Sequence, residues 1–157
     1  MPTSTGARSA RQRDDRMSAE QRLRSAALVF AVAVAVHGAD HLRRGTDVVT
    51  TTVLVAGGIQ FLLGAITVVL IFRHHRWASR AAIAVGFASA IGFTAAHLLP
   101  HWSAFSDAFT GSHVAPNVTV LSWAAALFEI GADVALGWAG VRALRLDGGR
   151  NIASSSR

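Results

Sequence analysis

The stretch from Val48 to Phe72, VVTTTVLVAGGIQFLLGAITVVLIF, carries no charged residue over its whole length. A helix crossing a hydrocarbon core of ~30 Å needs ~20 mostly apolar residues, and this segment is longer than that. Working outward, three more stretches meet the same test: about 23–42 (LRSAALVFAVAVAVHGADHL), about 80–99, and about 118–141, which contains Glu129 and Asp133. The connections are short except for 100–117. Short connections favour antiparallel neighbours, so the expected fold is all-α, an antiparallel four-helix transmembrane bundle over residues 21–146.

The flanks read differently. Residues 1–20 and 147–157 are polar and lack apolar periodicity, and both are expected to be disordered tails. The first span is not read as a cleaved signal peptide. It begins far from the start and runs on into His37, Asp40 and His41 without a small-x-small cleavage site.

Composition agrees with a membrane solvent. Hydrophobic residues make up 52% of the chain and charged residues 15%, against roughly a quarter charged in soluble domains. The net charge of +6 would suggest nucleic acid only if the basic residues gathered on one folded surface. Instead they fall in blocks: six Arg against three acids in residues 1–24, three Arg and no acid in 73–80, and four Arg against one acid in 142–157. The positive-inside rule places both termini and the 73–80 loop in the cytoplasm. Trp77 and Trp138 then mark the inner interface, Trp102 and Trp123 the outer one. The implied partner of the arginine blocks is an anionic headgroup surface, not nucleic acid. Arg43 and Arg44 dissent, and a snorkelled pair bridging Asp40 and Asp47 is the expectation for them. Gly57, Gly58, Gly64, Gly86 with Ala90, and Gly131 with Ala135 are candidates for close helix contacts. A homo-oligomer or a membrane-complex partner stays open.

Three spans carry ionisable residues at helical spacing: His37, Asp40 and His41; His97 and His101; Glu129 and Asp133. Residues three or four apart share a helix face. Each intramembrane charge costs ~2.5 to 3.5 kcal/mol on insertion scales and therefore faces a partner or a cavity. Taking Arg43 and Trp123 as the outer boundary, His37 and Glu129 both lie ~9 Å inside it at 1.5 Å per residue, so they can meet. Pro100 ends the third helix.

With no cysteine in the chain, thiolate metal sites and iron–sulfur clusters are excluded. Imidazole and carboxylate ligands suit zinc first, iron or manganese next. The candidate ligands are His37, His41, His97, His101 and Glu129, with Asp40, Asp133 and Gln60 as supporting or proton-relaying groups. Two imidazoles at i, i+4 do not serve one haem plane, which disfavours haem. A divalent metal site, a proton or ion relay, and a buried polar network acting as a register lock remain open readings. In an enzymatic version of the first, the metal would activate water, Glu129 or Asp133 would shuttle its proton, and the reaction would be hydrolysis. His74 and His75 read as part of a solvated basic patch, and His113 as exposed.

The strings HGADHLRRG (37–45) and AAHLLPHWSAFSDAF (95–109) resemble those of small, uncharacterised four-span bacterial membrane proteins. That resemblance implies a multi-pass protein of the bacterial cytoplasmic membrane and no particular activity. More remotely, His97-x-x-x-His101 and His37-x-x-Asp40 are similar to pieces of the alkaline-ceramidase-like membrane hydrolases, which implies an intramembrane zinc-bound water.

Overall fold

A computed structural model describes residues 4–155, with side chains for residues 14, 15, 17–45 and 47–146. It contains α1 (Ser4–Arg44), a 3-10 turn (Thr46–Val48), α2 (Thr51–Phe72), α3 (Ala78–Phe93) continuing as a π-helical turn (Thr94–Leu98), and α4 (Val120–Ser155). Four helical stretches, Met17–Arg44, Thr51–Phe72, Ala78–Leu98 and Val120–Leu146, are long and apolar enough to cross a membrane. α1 and α3 each pack against both α2 and α4.

The helices run past the expected bundle: α1 extends back to Ser4 and α4 on to Ser155. Residues 1–3 and 156–157 lie outside the described residues. No Gly or Pro interrupts Ala7–Val36, where Arg, Gln, Glu and Ala favour helix, and Ala19 and Leu23 are buried. The second span starts later than expected, at Thr51. The 3-10 turn uses Thr46–Val48, and the Thr50 hydroxyl caps α2 by accepting from the Val53 amide at 3.2 Å.

The burial pattern is inverted relative to a protein in water. On α1, Leu23, Ala27, Phe30, Ala33, His37, Asp40 and Arg44 recur at three- and four-residue steps and all are buried. On α4 the inward stripe includes Ser122, Ala126, Glu129, Asp133 and Leu136. Meanwhile Leu28, Val32, Ile59, Phe61, Ile91 and Leu127 are each more than half exposed. Apolar surface on this scale marks contact with lipid or another protein.

Small residues set the tightest seam, between α3 and α4. A Cβ on Gly86 would lie 2.6 Å from the Asp133 carbonyl oxygen and from the Gly137 nitrogen, and one on Gly140 would lie 2.8 Å from the Ser79 carbonyl oxygen. Only glycine allows that approach. Gly64 similarly admits the Phe30 ring. At Gly57, Gly58 and Gly131 a Cβ would meet nothing within 4 Å, so they make none of the close contacts expected of them.

The two ends of the bundle gather different residues. One end brings Glu20, His74, Ser79 and Ala143 around a shared cleft. The other brings together the end of α1, the π turn, the 100–117 loop and the start of α4.

Candidate functional site

At the second end, α1 stops because Gly45 adopts φ +102. A side chain there would be strained and its Cβ would sit 2.7 Å from Asp47 Oδ1. The stop leaves His37, His41 and Arg44 on the inward face of the last turns. α3 ends in the π turn, and the last carbonyls of such a helix need partners. The 100–117 loop supplies them. Trp102 Nε1 donates to Ala95 O at 2.8 Å, the Asp107 amide to Ala96 O at 3.0 Å, the Phe109 amide to His97 O at 2.8 Å, and the Thr110 hydroxyl to Leu98 O at 3.1 Å. These bonds fold the loop back over the helix ends and bury Ser106, Asp107, Ala108 and Phe109.

One nitrogen from each of His37, His41 and His97 lies within 4.8 Å of the other two, a grouping able to hold a metal ion. His37 and His41 face each other through Nε2 atoms 2.9 Å apart. His97 is 1% exposed and His37 5%, while the His41 side chain is 22% exposed and forms the accessible edge. Phe93 and Phe109 line the cluster, with ring centroids 5.1 Å from His37 and 4.6 Å from His97 respectively.

Oxygens stand behind the rings. His97 Nδ1 lies 3.0 Å from the Asp107 carbonyl, which can only accept, so Nδ1 carries the proton and Nε2 keeps its lone pair. His37 Nδ1 is 3.3 Å from Glu129 Oε2, close but without hydrogen-bond geometry, and His41 Nδ1 is 3.9 Å from Asp107 Oδ2. The 2.9 Å separation of the two Nε2 atoms is that of a hydrogen bond, one ring donating through Nε2–H and the other accepting with its lone pair.

Asp107 is the residue the sequence reading misses. Its carboxylate accepts two hydrogen bonds from Arg44, at 2.6 and 2.7 Å, and both side chains are buried. Arg44 also donates to Pro116 O at 3.1 Å and lies over Phe109. Burial by itself would raise the Asp107 carboxyl, but the Arg44 hydrogen bonds and charge, with the nearby His97 and His41, hold it below its ordinary value. The one available signal was that Asp107 is the sole charged residue between Pro100 and Asn117. Arg44 thus pairs with Asp107, not Asp47, whereas Arg43 binds Asp40 at 2.9 Å as expected and also reaches Ser122 on α4.

The remaining candidates separate. His101 does not join the cluster, because the chain leaves the helix before Pro100. It is exposed, with its ring centroid 6.3 Å from that of His113. Glu129 reaches the back of His37 and stands outside the three-nitrogen group. Asp40 is occupied by Arg43. Gln60 donates to Ser89 on α3 at 3.5 Å, an interhelical contact away from the histidines. Asp133 is fully buried, and neither carboxylate oxygen has a hydrogen-bond partner among the described residues. In the 73–80 loop, His74 contacts Glu20 and Arg24.

No family model, curated protein or solved structure matches this chain.

Proposed function

We propose that this chain is an integral membrane protein, an antiparallel four-helix bundle with both termini cytoplasmic, that binds a divalent metal at the outer end through His37, His41 and His97. The observation that carries this reading is the convergence of three largely buried imidazole nitrogens within 4.8 Å. Three neutral imidazoles leave one tetrahedral position open and suit zinc, with iron or manganese as the next choice. The Asp107 carbonyl behind His97 supports it, since an acceptor at Nδ1 fixes the tautomer that leaves Nε2 free to ligate. The arginine blocks and the exposed Trp77 and Trp138 at the opposite end support the orientation and a place in the bacterial cytoplasmic membrane. A bound metal would supply Lewis acidity at this position. His37, His41 and His97 would hold it, with His97 oriented through its Nδ1 hydrogen bond and Phe93 and Phe109 packed against the rings.

Element analysis of the detergent-purified protein tests the reading. The wild type is expected to carry stoichiometric metal that His37→Ala and His97→Ala lose and His101→Ala retains. Metal-free wild type after expression in metal-supplemented medium would end it.

A second reading, proton relay, is favoured by Asp133, whose fully buried carboxylate lies one turn below Glu129 with no hydrogen-bond partner among the described residues. Proton flux into vesicles that is unchanged by Asp133→Asn would remove it.

A further inference from the structure

At the arginine-rich end, a groove of about 340 Å³ runs between α1 and α4. Arg22 enters it from α1, and Arg142 and Arg145 from α4. The latter two sit three residues apart and so share a helix face. All three are exposed, and none has an ion-pair or hydrogen-bond partner among the described residues. Their neighbours behave otherwise: Arg24 pairs with Glu20, and Arg76 and Arg80 lie over the Trp77 ring. The groove's other polar residues are Ser18, which donates to the Asp15 carbonyl at 2.8 Å, and Asp15 itself. Three guanidinium groups against one carboxylate leave the groove cationic, and Ala19 and Ala139 give it an apolar floor.

Guanidinium forks match phosphate oxygens in shape and charge. Trp138, one turn before Arg142 on α4, is 54% exposed, and tryptophans concentrate at headgroup level. We propose that this groove binds the phosphate group of an anionic phospholipid, with Arg22, Arg142 and Arg145 as its ligands and the alanine floor against the glycerol and upper acyl chain. The site lies at the opposite end from the histidine cluster and does not depend on a metal. It differs from diffuse attraction of basic residues to a membrane, because three unpaired cations from two helices converge on one concave surface.

The test uses the full chain in nanodiscs of phosphatidylcholine containing a minority of phosphatidylglycerol, re-extracted in mild detergent, with retained lipid measured by mass spectrometry. Wild type should retain phosphatidylglycerol above its bulk share. Arg142→Gln with Arg145→Gln should cut that enrichment by about tenfold, and Arg22→Gln by less. Arg76→Gln with Arg80→Gln, at the same end but outside the groove, should leave it intact. Equal loss in both double variants, or no enrichment in the wild type, overturns the proposal. Inorganic phosphate added during extraction distinguishes the source: a headgroup site keeps its lipid, whereas displacement by phosphate assigns the groove to a soluble anion and overturns the lipid assignment. All substituted side chains are exposed, and circular dichroism of each variant checks that the helices persist.

Discussion

The two ends of the bundle use the same residue type in opposite ways. At the histidine end, Arg44 is 2% exposed and every part of its guanidinium is engaged, by Asp107, Pro116 and the face of Phe109. At the other end, Arg142 and Arg145 are exposed and have no ion-pair or hydrogen-bond partner among the described residues. A buried charge is tolerated only with a specific counter-charge, so Arg44 reports on internal architecture. An exposed charge carries no such obligation, so Arg142 and Arg145 report on what lies outside the protein.

The largest effect should come from breaking the buried pair. Asp107→Ala leaves Arg44 buried without its carboxylate and unties the loop from the end of α1, which should cost roughly 3 to 5 kcal/mol in detergent unfolding. Replacing both partners with apolar residues, Arg44→Met with Asp107→Leu, should recover much of that loss. A double variant as unstable as Asp107→Ala would mean that the loop, not the charge, is decisive. The pair also sets a pH dependence. The native Asp107 carboxyl lies below its ordinary value, so its stabilisation is complete above the ordinary carboxylate range and drains away as pH falls through the lower native value. Asp107→Asn should flatten the unfolding curve in that window. A wild-type curve already flat there would contradict the pairing.

This end was half legible in the sequence. The spacing of His37 and His41, and their depth relative to Glu129, follow from helix geometry, and the contact between His37 and Glu129 matches the shared level expected of them. Asp107 and the exclusion of His101 were not legible, because both depend on how an irregular loop satisfies the carbonyls of a π turn. That is a matter of tertiary hydrogen bonding with no periodic trace. The four spans were legible because the hydrocarbon thickness imposes a length on each helix. The close helix contacts were less so: composition marks every glycine alike, and only packing separates Gly86 from Gly57.

That separation predicts the next effect. Gly86→Ala, at the α3–α4 seam, places a methyl group where backbone atoms stand at 2.6 Å, and overpacking of this kind costs about 1 to 3 kcal/mol. Gly57→Ala meets nothing and should be neutral or stabilising by up to ~1 kcal/mol through helix propensity. Unfolding midpoints of the two variants should therefore move in opposite directions. If Gly57→Ala destabilises the protein in a bilayer but not in detergent, that open face of α2 is covered by a second molecule in the membrane.

The smallest effect returns to the arginines. Arg142→Gln with Arg145→Gln removes two exposed charges that have no partner among the described residues, so unfolding in zwitterionic detergent should change by no more than about 0.5 kcal/mol. Arg44→Gln, the same chemical change at the other end, strands the buried Asp107 carboxylate and should rank with Asp107→Ala. The contrast sharpens when anionic lipid is added. A ligand that binds only the folded state stabilises it by mass action, so phosphatidylglycerol should raise the wild-type midpoint and leave the Arg142, Arg145 double variant where it was. A lipid-dependent shift of equal size in both would place the stabilising contact elsewhere on the arginine-rich end and dissolve the distinction between a shaped groove and a charged rim.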